Sequence, residues 1–205
     1  MNRSVAARAV CALVGLAVSA SAANAAMITF IHTGIGSGTL DGVPFSNAQF
    51  SITAVGDTDN LSQVFSHFSS IAHASASITI QGIGTIDFVT PTATAVNNNL
   101  QIAAFARDLG GGIISDLGYF GRDAALGAWD MLTSIGPVNG DGDLLQWSLS
   151  PVVTSAGVLV FASAQDAGGT FQAIVVPAPA SIGVLTLGGM IVTRRHRDLT
   201  SIGKR

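Results

Sequence analysis

The sequence has no glutamate; all 12 of its acidic residues are aspartate. Charged residues make up only 10% of the 205, against about 25% in an ordinary globular chain. That scarcity excludes a charge-laced coiled coil and a charge-rich disordered chain. Nine lysine and arginine residues are too few to neutralise a phosphate backbone, so no nucleic-acid partner is expected. Cysteine occurs once, at Cys11, which excludes a disulfide framework. No repeat of solenoid or propeller length is present. What is plentiful is glycine, at 24 residues, and small apolar side chains. The length suits one domain with appendages.

The two ends carry much of the bias. Arg3 and Arg8 precede a mostly apolar run, Ala9 to Ala20, and then a stretch of small residues, Ser19 to Ala26. This is the order of a secretory signal peptide. Ala23 and Ala25 form an A-x-A site, so residues 1–25 read as a signal helix removed after Ala25. The apolar run is shorter than the roughly 20 residues that span a bilayer. Cys11 lies inside it, away from the cleavage point where a lipid-anchored cysteine would stand. Residues 26–176 then form one body and residues 177–205 a tail.

In the tail, Val176, Pro177, Ala178 and Pro179 lead into an apolar, glycine-dotted segment, and Arg194, Arg195 and Arg197 follow directly. Residues 180–193 read as a hydrophobic helix of about 21 Å, thin for a permanent anchor and suited to a transient one. Its arginines stop it on the cytoplasmic side of the inner membrane, with the prolines outside.

This tail resembles the PEP-CTERM sorting signal of bacterial exported proteins: a proline motif, one short hydrophobic helix and a basic cluster. Ala178 stands where that family usually carries glutamate. The same tail motif is also filed as an ice-binding protein C-terminal domain, a label that describes the company the tail keeps. The resemblance implies recognition by an exosortase-type membrane protease, cleavage near the prolines, and passage to the cell surface or extracellular space. The body resembles an uncharacterised β-rich domain found before such tails, through His32 to Phe45 and Trp129 to Pro137. That second resemblance implies no established activity.

Within the body only Arg107 and Arg122 oppose eleven aspartates, a net charge of −9. Alternation of apolar and polar residues dominates it. Phe50, Ile52 and Ala54 share one face, as do Ala74, Ala76, Ile78 and Ile80; Leu145, Trp147 and Leu149; and Phe171, Ala173 and Val175. Further strands are expected over residues 28–31, 83–89, 100–106, 113–119 and 158–162. Turns are expected at Asp41-Gly42, Gly56-Asp57, Asn97 to Asn99, Gly110 to Gly112, Asn139-Gly140 and Gly168-Gly169. The expected fold is all-β, a jelly-roll-like sandwich of at least eight strands with Trp147 inward. Ala125, Ala128, Trp129 and Leu132 repeat at helical spacing behind Asp123, a natural N-cap, so residues 123–135 predict one short helix. Residues 61–68 suit one or two helical turns.

Candidate chemistry is sparse. Gly34-Ile35-Gly36-Ser37-Gly38 has the look of a phosphate loop, but Thr39 and Leu40 continue as strand instead of opening a helix. A glycine-rich strand packed under another element is expected there. Asn139-Gly140-Asp141-Gly142-Asp143 has the centre of a calcium loop, yet Pro137 and Ser148 stand where its two end ligands belong. Asp57, Asp59, Asp141 and Asp143 thus offer at most a weak calcium site, and no other cofactor or metal is implied. His32, His67 and His73 lack any metal-ligand spacing. No G-x-S-x-G elbow occurs, and without glutamate a glycosidase would need an Asp–Asp pair.

The expected function is therefore that of a non-catalytic, exported surface or extracellular-matrix protein. Its expected partners are the sorting protease, the inner membrane in transit, and matrix or exopolysaccharide. A carbohydrate- or calcium-binding module is the second reading, favoured by an exposed aromatic platform or clustered aspartates. A secreted hydrolase is the third, favoured by a deep pocket in which Asp and His converge.

Overall fold

Ile28, Phe30 and His32 are buried while Thr29, Ile31 and Thr33 keep part of their surface, so the first body segment is a strand from its start. The computed structural model describes residues 26–140, 142–144, 147, 149, 151–162 and 168–176. Eleven strands occur among them: β1 (Met27–Leu40), β2 (Val43–Phe65), β3 (Phe68–Ile80), β4 (Gly84–Asp87), β5 (Thr92–Asn97), β6 (Ile102–Gly110), β7 (Ile113–Arg122), β8 (Ile135–Gly140), β9 (Val152–Thr154), β10 (Gly157–Phe161) and β11 (Gly169–Val176). Asp41 and Gly42 join the first two with positive φ at both positions, 50° and 81°, the backbone twist a two-residue hairpin needs.

The strands make one connected antiparallel sheet in the order β7-β6-β5-β3-β2-β1-β10-β9. It branches twice. The first half of β1 pairs with β11, which carries β8, and its last residues pair with β10. The start of β3 pairs with β5 and its end with β4. The sheet then curls until β7 meets the segment after β8, where Tyr119 and Asp143 exchange backbone hydrogen bonds of 2.8 and 3.0 Å. The expected all-β class is thus present, as a curled sheet whose ladder does not divide into two separate layers.

The core fills the inside of the curl. Phe50 on β2 meets Phe120 on β7 edge-on at 5.9 Å, and Trp147 packs against Phe88, Phe105 and Phe161. Each such fully buried side chain contributes about 1.5–3 kcal/mol. The glycines of β1 make room for these rings. A Cβ at Gly34 would stand 2.8 Å from the Phe50 ring, and one at Gly36 would stand 2.7 Å from Phe161. The glycine-rich segment is therefore the close-packed strand expected of it.

Several local expectations are corrected. Residues 61–68 are not helical: Ser62, Gln63 and Phe65 pair with Ser70, Ser69 and Phe68 across a hairpin. Gly56-Asp57 is not a turn, because β2 runs through it with a bulge opposite His73 and Ile71. A neighbouring bulge at Ala74 puts that residue outside, out of phase with buried Ala76, Ile78 and Ile80. Asn139-Gly140 closes β8 by pairing with Thr170 and Gly169. The helix of 123–135 shrinks to a 3₁₀ turn, Ala124–Ala128, capped as expected by Asp123. Trp129 is extended and Met131 takes φ 64°, which stops propagation, but Trp129 stays buried as an anchor. Trp147 is inward as expected, but it and Leu149 lie in turns, and Leu149 is 77% exposed, so the two do not share a face.

The expected signal helix with Ala23 and Ala25, the tail with Pro177, Ala178 and Pro179, helix 180–193, and Arg194, Arg195 and Arg197 lie outside the described residues, as does Asp141. Among the described residues no helix is long and apolar enough to cross a membrane.

Candidate functional site

Two polar features stand out, one inside the curl and one outside. The inner one begins on β1, whose alternation carries His32 into the core at 0% exposure. Its ring lies edge-on to Phe105 and Phe120 and tilted against Phe171. On β3 the bulge at Ala74 turns His73 toward the same interior, stacked at 5.7 Å on Phe105. Between them β5 inserts Thr92 and Thr94. Thr94 Oγ1 lies 3.1 Å from His32 Nε2 and 2.9 Å from His73 Nε2, and Thr92 Oγ1 lies 2.9 Å from His73 Nδ1.

The donor arithmetic fixes a direction. A threonine hydroxyl has one hydrogen and each neutral imidazole has one N–H. If both rings donated to Thr94, its own hydrogen would be left over in the core; with that hydrogen used inside the cluster, the bonds run as one chain, either from His32 toward Thr92 or the reverse. His32 Nδ1 has no partner in either case. An orphaned buried acceptor is more common than an orphaned N–H. The chain is thus assigned as His32 Nε2–H to Thr94, Thr94 O–H to His73 Nε2, and His73 Nδ1–H to Thr92. Both rings must be neutral for this. Burial, and then the His73 charge, hold His32 well below the usual imidazole range; burial lowers His73 to about 3. Thr94 is sealed at 0% exposure, and its bonds tie β1, β3 and β5 together in the core.

The outer feature is a face without charge at its centre among the described residues. Strand register sets Asn139, Thr170, Thr33, Ser51, Thr79 and Thr85 side by side in one row across six strands. Thr33 and Thr170 hydrogen-bond at 2.6 Å, and Thr79 and Thr85 at 2.7 Å. A shallow groove of about 520 Å³ crosses this row, with Gly34 and Phe50 in its floor and Ile35, Gln49 and Gln81 along it. Asp57 and Asp87 stand only at the margins, the first beside Met27 and the second beside Ser77.

The remaining candidates lie apart. His67 stacks on Phe65 at the β2–β3 hairpin, and Phe65 is 62% exposed, the one large aromatic so exposed among the described residues. Asp57 accepts the amide of Asp59 at 2.9 Å, using its carboxylate within its own loop. Asp57 is level with Met27, whereas Asp143 follows β8, whose end is level with Thr33 and Thr170. Six residues of strand, roughly 20 Å, separate the two levels. Among the described residues no three His, Cys, Asp or Glu side chains gather around a cation position. Asp116 accepts the Tyr119 hydroxyl at 3.0 Å beside a pocket of about 230 Å³. Burial raises the Asp116 carboxyl against that bond, and burial followed by the Asp116 charge pushes Tyr119 up to about 12.

Sequence reasoning placed His32 and His73 as separate candidates and missed that Thr94 joins them. No family model, no curated protein and no solved structure matches this chain.

Proposed function

We propose that this chain is an exported, non-catalytic protein of the cell surface or extracellular matrix, delivered through its PEP-CTERM-like tail. One structural observation supports the reading above the others. Met27, where β1 begins, is the direct register partner of Val176, where β11 ends. The segments before Ala26 and after Val176 therefore leave the sheet at one point. Both can be removed without taking a residue from the ladder, or the tail can hold the body to the membrane by a single stalk. The two arms of the curled sheet face each other across one core in a sandwich-like way, a self-sufficient display body with no disulfide.

On this reading a signal peptidase cuts after Ala25. The hydrophobic segment 180–193 then pauses in the inner membrane, held by Arg194, Arg195 and Arg197. An exosortase-type protease cuts near Pro177 to Ser181, where proline keeps the backbone from closing into helix. Mass spectrometry of the surface-exposed protein tests this. The expected species begins at Ala26 or Met27 and ends between Pro177 and Ser181. A surface species that retains Met1 overturns the signal peptide, and one that retains Arg205 overturns the sorting step. Replacing the three arginines with serine should abolish tail processing.

A further inference from the structure

We infer that the outer face of β11, β1, β2, β3 and β4 is a binding site for a neutral polysaccharide, laid in the groove across Thr33, Ser51 and Thr79. The inference names a partner for the proposed surface protein and rests on that reading only for its setting.

Three observations carry it. First, the face offers hydroxyls and carboxamides in register, and each of these groups both donates and accepts. Sugar hydroxyls have the same dual character, so a chain of them can be matched without leaving a partner unsatisfied. Among the described residues a charged ligand would find no counterpart at the centre of this face, and Ile35 adds an apolar contact of the kind a sugar's C–H face can use. Second, the groups are held in place. The Thr33–Thr170 and Thr79–Thr85 bonds tie neighbouring strands, and β-branched side chains have few rotamers to lose. Such preorganisation lowers the ordering cost of binding. Third, the surface is grooved rather than flat, and about 520 Å³ is within the usual range of ligand sites, room for a short run of sugar rings.

Charge selects the class of glycan. The body carries −9, so a polyuronate is repelled on approach, whereas a neutral glucan is not. Among the described residues the groove has no exposed aromatic ring to stack on a sugar, so each contact is weak and retention depends on several sugar rings bound at once.

Affinity electrophoresis of the full chain in a sugar-free detergent tests the site, with gels containing hydroxyethyl cellulose, dextran or alginate. Retardation is expected in at least one neutral glucan and not in alginate, and added salt should leave it unchanged. Thr79→Lys and Ser51→Lys should each abolish the retardation, with the near-ultraviolet circular dichroism of wild type showing that the fold is intact. Thr79→Ser keeps the hydroxyl and should keep binding; if both lysine variants unfold, Gln81→Lys at the groove edge takes their place. Absence of retardation in both neutral glucans overturns the inference, as does wild-type retardation of the lysine variants. A regular hydroxyl array also suits an ice surface; thermal hysteresis lost in Thr79→Lys, without glycan retention, would overturn it in favour of that ligand. The mass of the surface species is untouched by any of these outcomes, so this site and the sorting proposal fail separately.

Discussion

His32 and His73 share one hydroxyl: Thr94 Oγ1 sits 3.1 Å from the first ring and 2.9 Å from the second. The arrangement needs both imidazoles neutral, since a proton on either would be buried among Phe30, Phe105, Phe120 and Phe171. The pair commits three strands, β1, β3 and β5, to one relative position.

Acid should therefore weaken the fold well before the carboxylates titrate. Unfolded, both histidines accept protons near pH 6.5; folded, both are held well below that value, His73 at about 3. The unfolded state binds more protons in this window, so the stabilisation is complete above pH 6.5 and falls as the pH drops toward 3. Each histidine contributes a slope of up to about 1.4 kcal/mol per pH unit. Urea midpoints at pH 7.5, 6 and 5 measure it, and a flat profile would contradict the neutral pair. His73→Gln should shallow the slope.

Thr94→Val keeps the shape of the side chain and removes the shared hydroxyl. Both ring nitrogens then lose their partner inside the core, at a cost of about 1–3 kcal/mol for each buried polar group left unpaired. Thr79→Val, on the outer face, should change stability by less than about 0.5 kcal/mol. Denaturant unfolding of the two variants side by side checks the contrast. Equal effects would mean that the Thr94 bond contributes nothing.

Gly36→Ala tests the packing of β1 under Phe161. The new methyl would stand 2.7 Å from one ring carbon and 2.8 Å from another, with Leu144 at 3.2 Å. Overpacking of this kind costs about 1–3 kcal/mol. Thermal melts should show a clear loss for this variant. A melting temperature equal to that of wild type would show that Phe161 has somewhere to go.

Trp147 is buried on every side and Trp129 is 6% exposed, so the two indoles of the chain should both emit as buried chromophores. Trp147→Ala removes a ring that touches Phe88, Phe105 and Phe161 and should cost about 3–5 kcal/mol. Trp129→Phe should cost less, because its ring packs on Phe171 alone among the aromatics and mainly loses the bond to the Thr133 carbonyl. Intrinsic fluorescence during urea unfolding reads both, and a solvent-exposed emission from the native Trp129→Phe protein would contradict the burial of Trp147.

The all-β class was legible because β1, β2, β3 and β11 each bury one face and wet the other, as with Phe50, Ile52 and Ala54. The fifth strand was not legible. In β5 the polar residues Thr92 and Thr94 point inward and Ala93 and Ala95 are covered on the other side, so no contrast between faces remains in the pattern. The Leu145 to Leu149 alternation misled for the opposite reason. It has a strand period, but no neighbouring strand takes up residues 147 and 149, and one indole enters the core from a turn.

The sequence by itself determined the β-rich class, the Asp41-Gly42 hairpin and the Asp123 cap, because these depend on side-chain period and local backbone preference. The two targeting patterns proposed above are likewise read along the chain alone. Only the tertiary structure decided that His32 meets His73 through Thr94, and that Thr33, Ser51 and Thr79 form one row. Both depend on strand register and on the bulges that shift it. Register is set by the packing of the whole sheet, and a shift of one residue would exchange the two faces, moving the histidine out and the hydroxyls in.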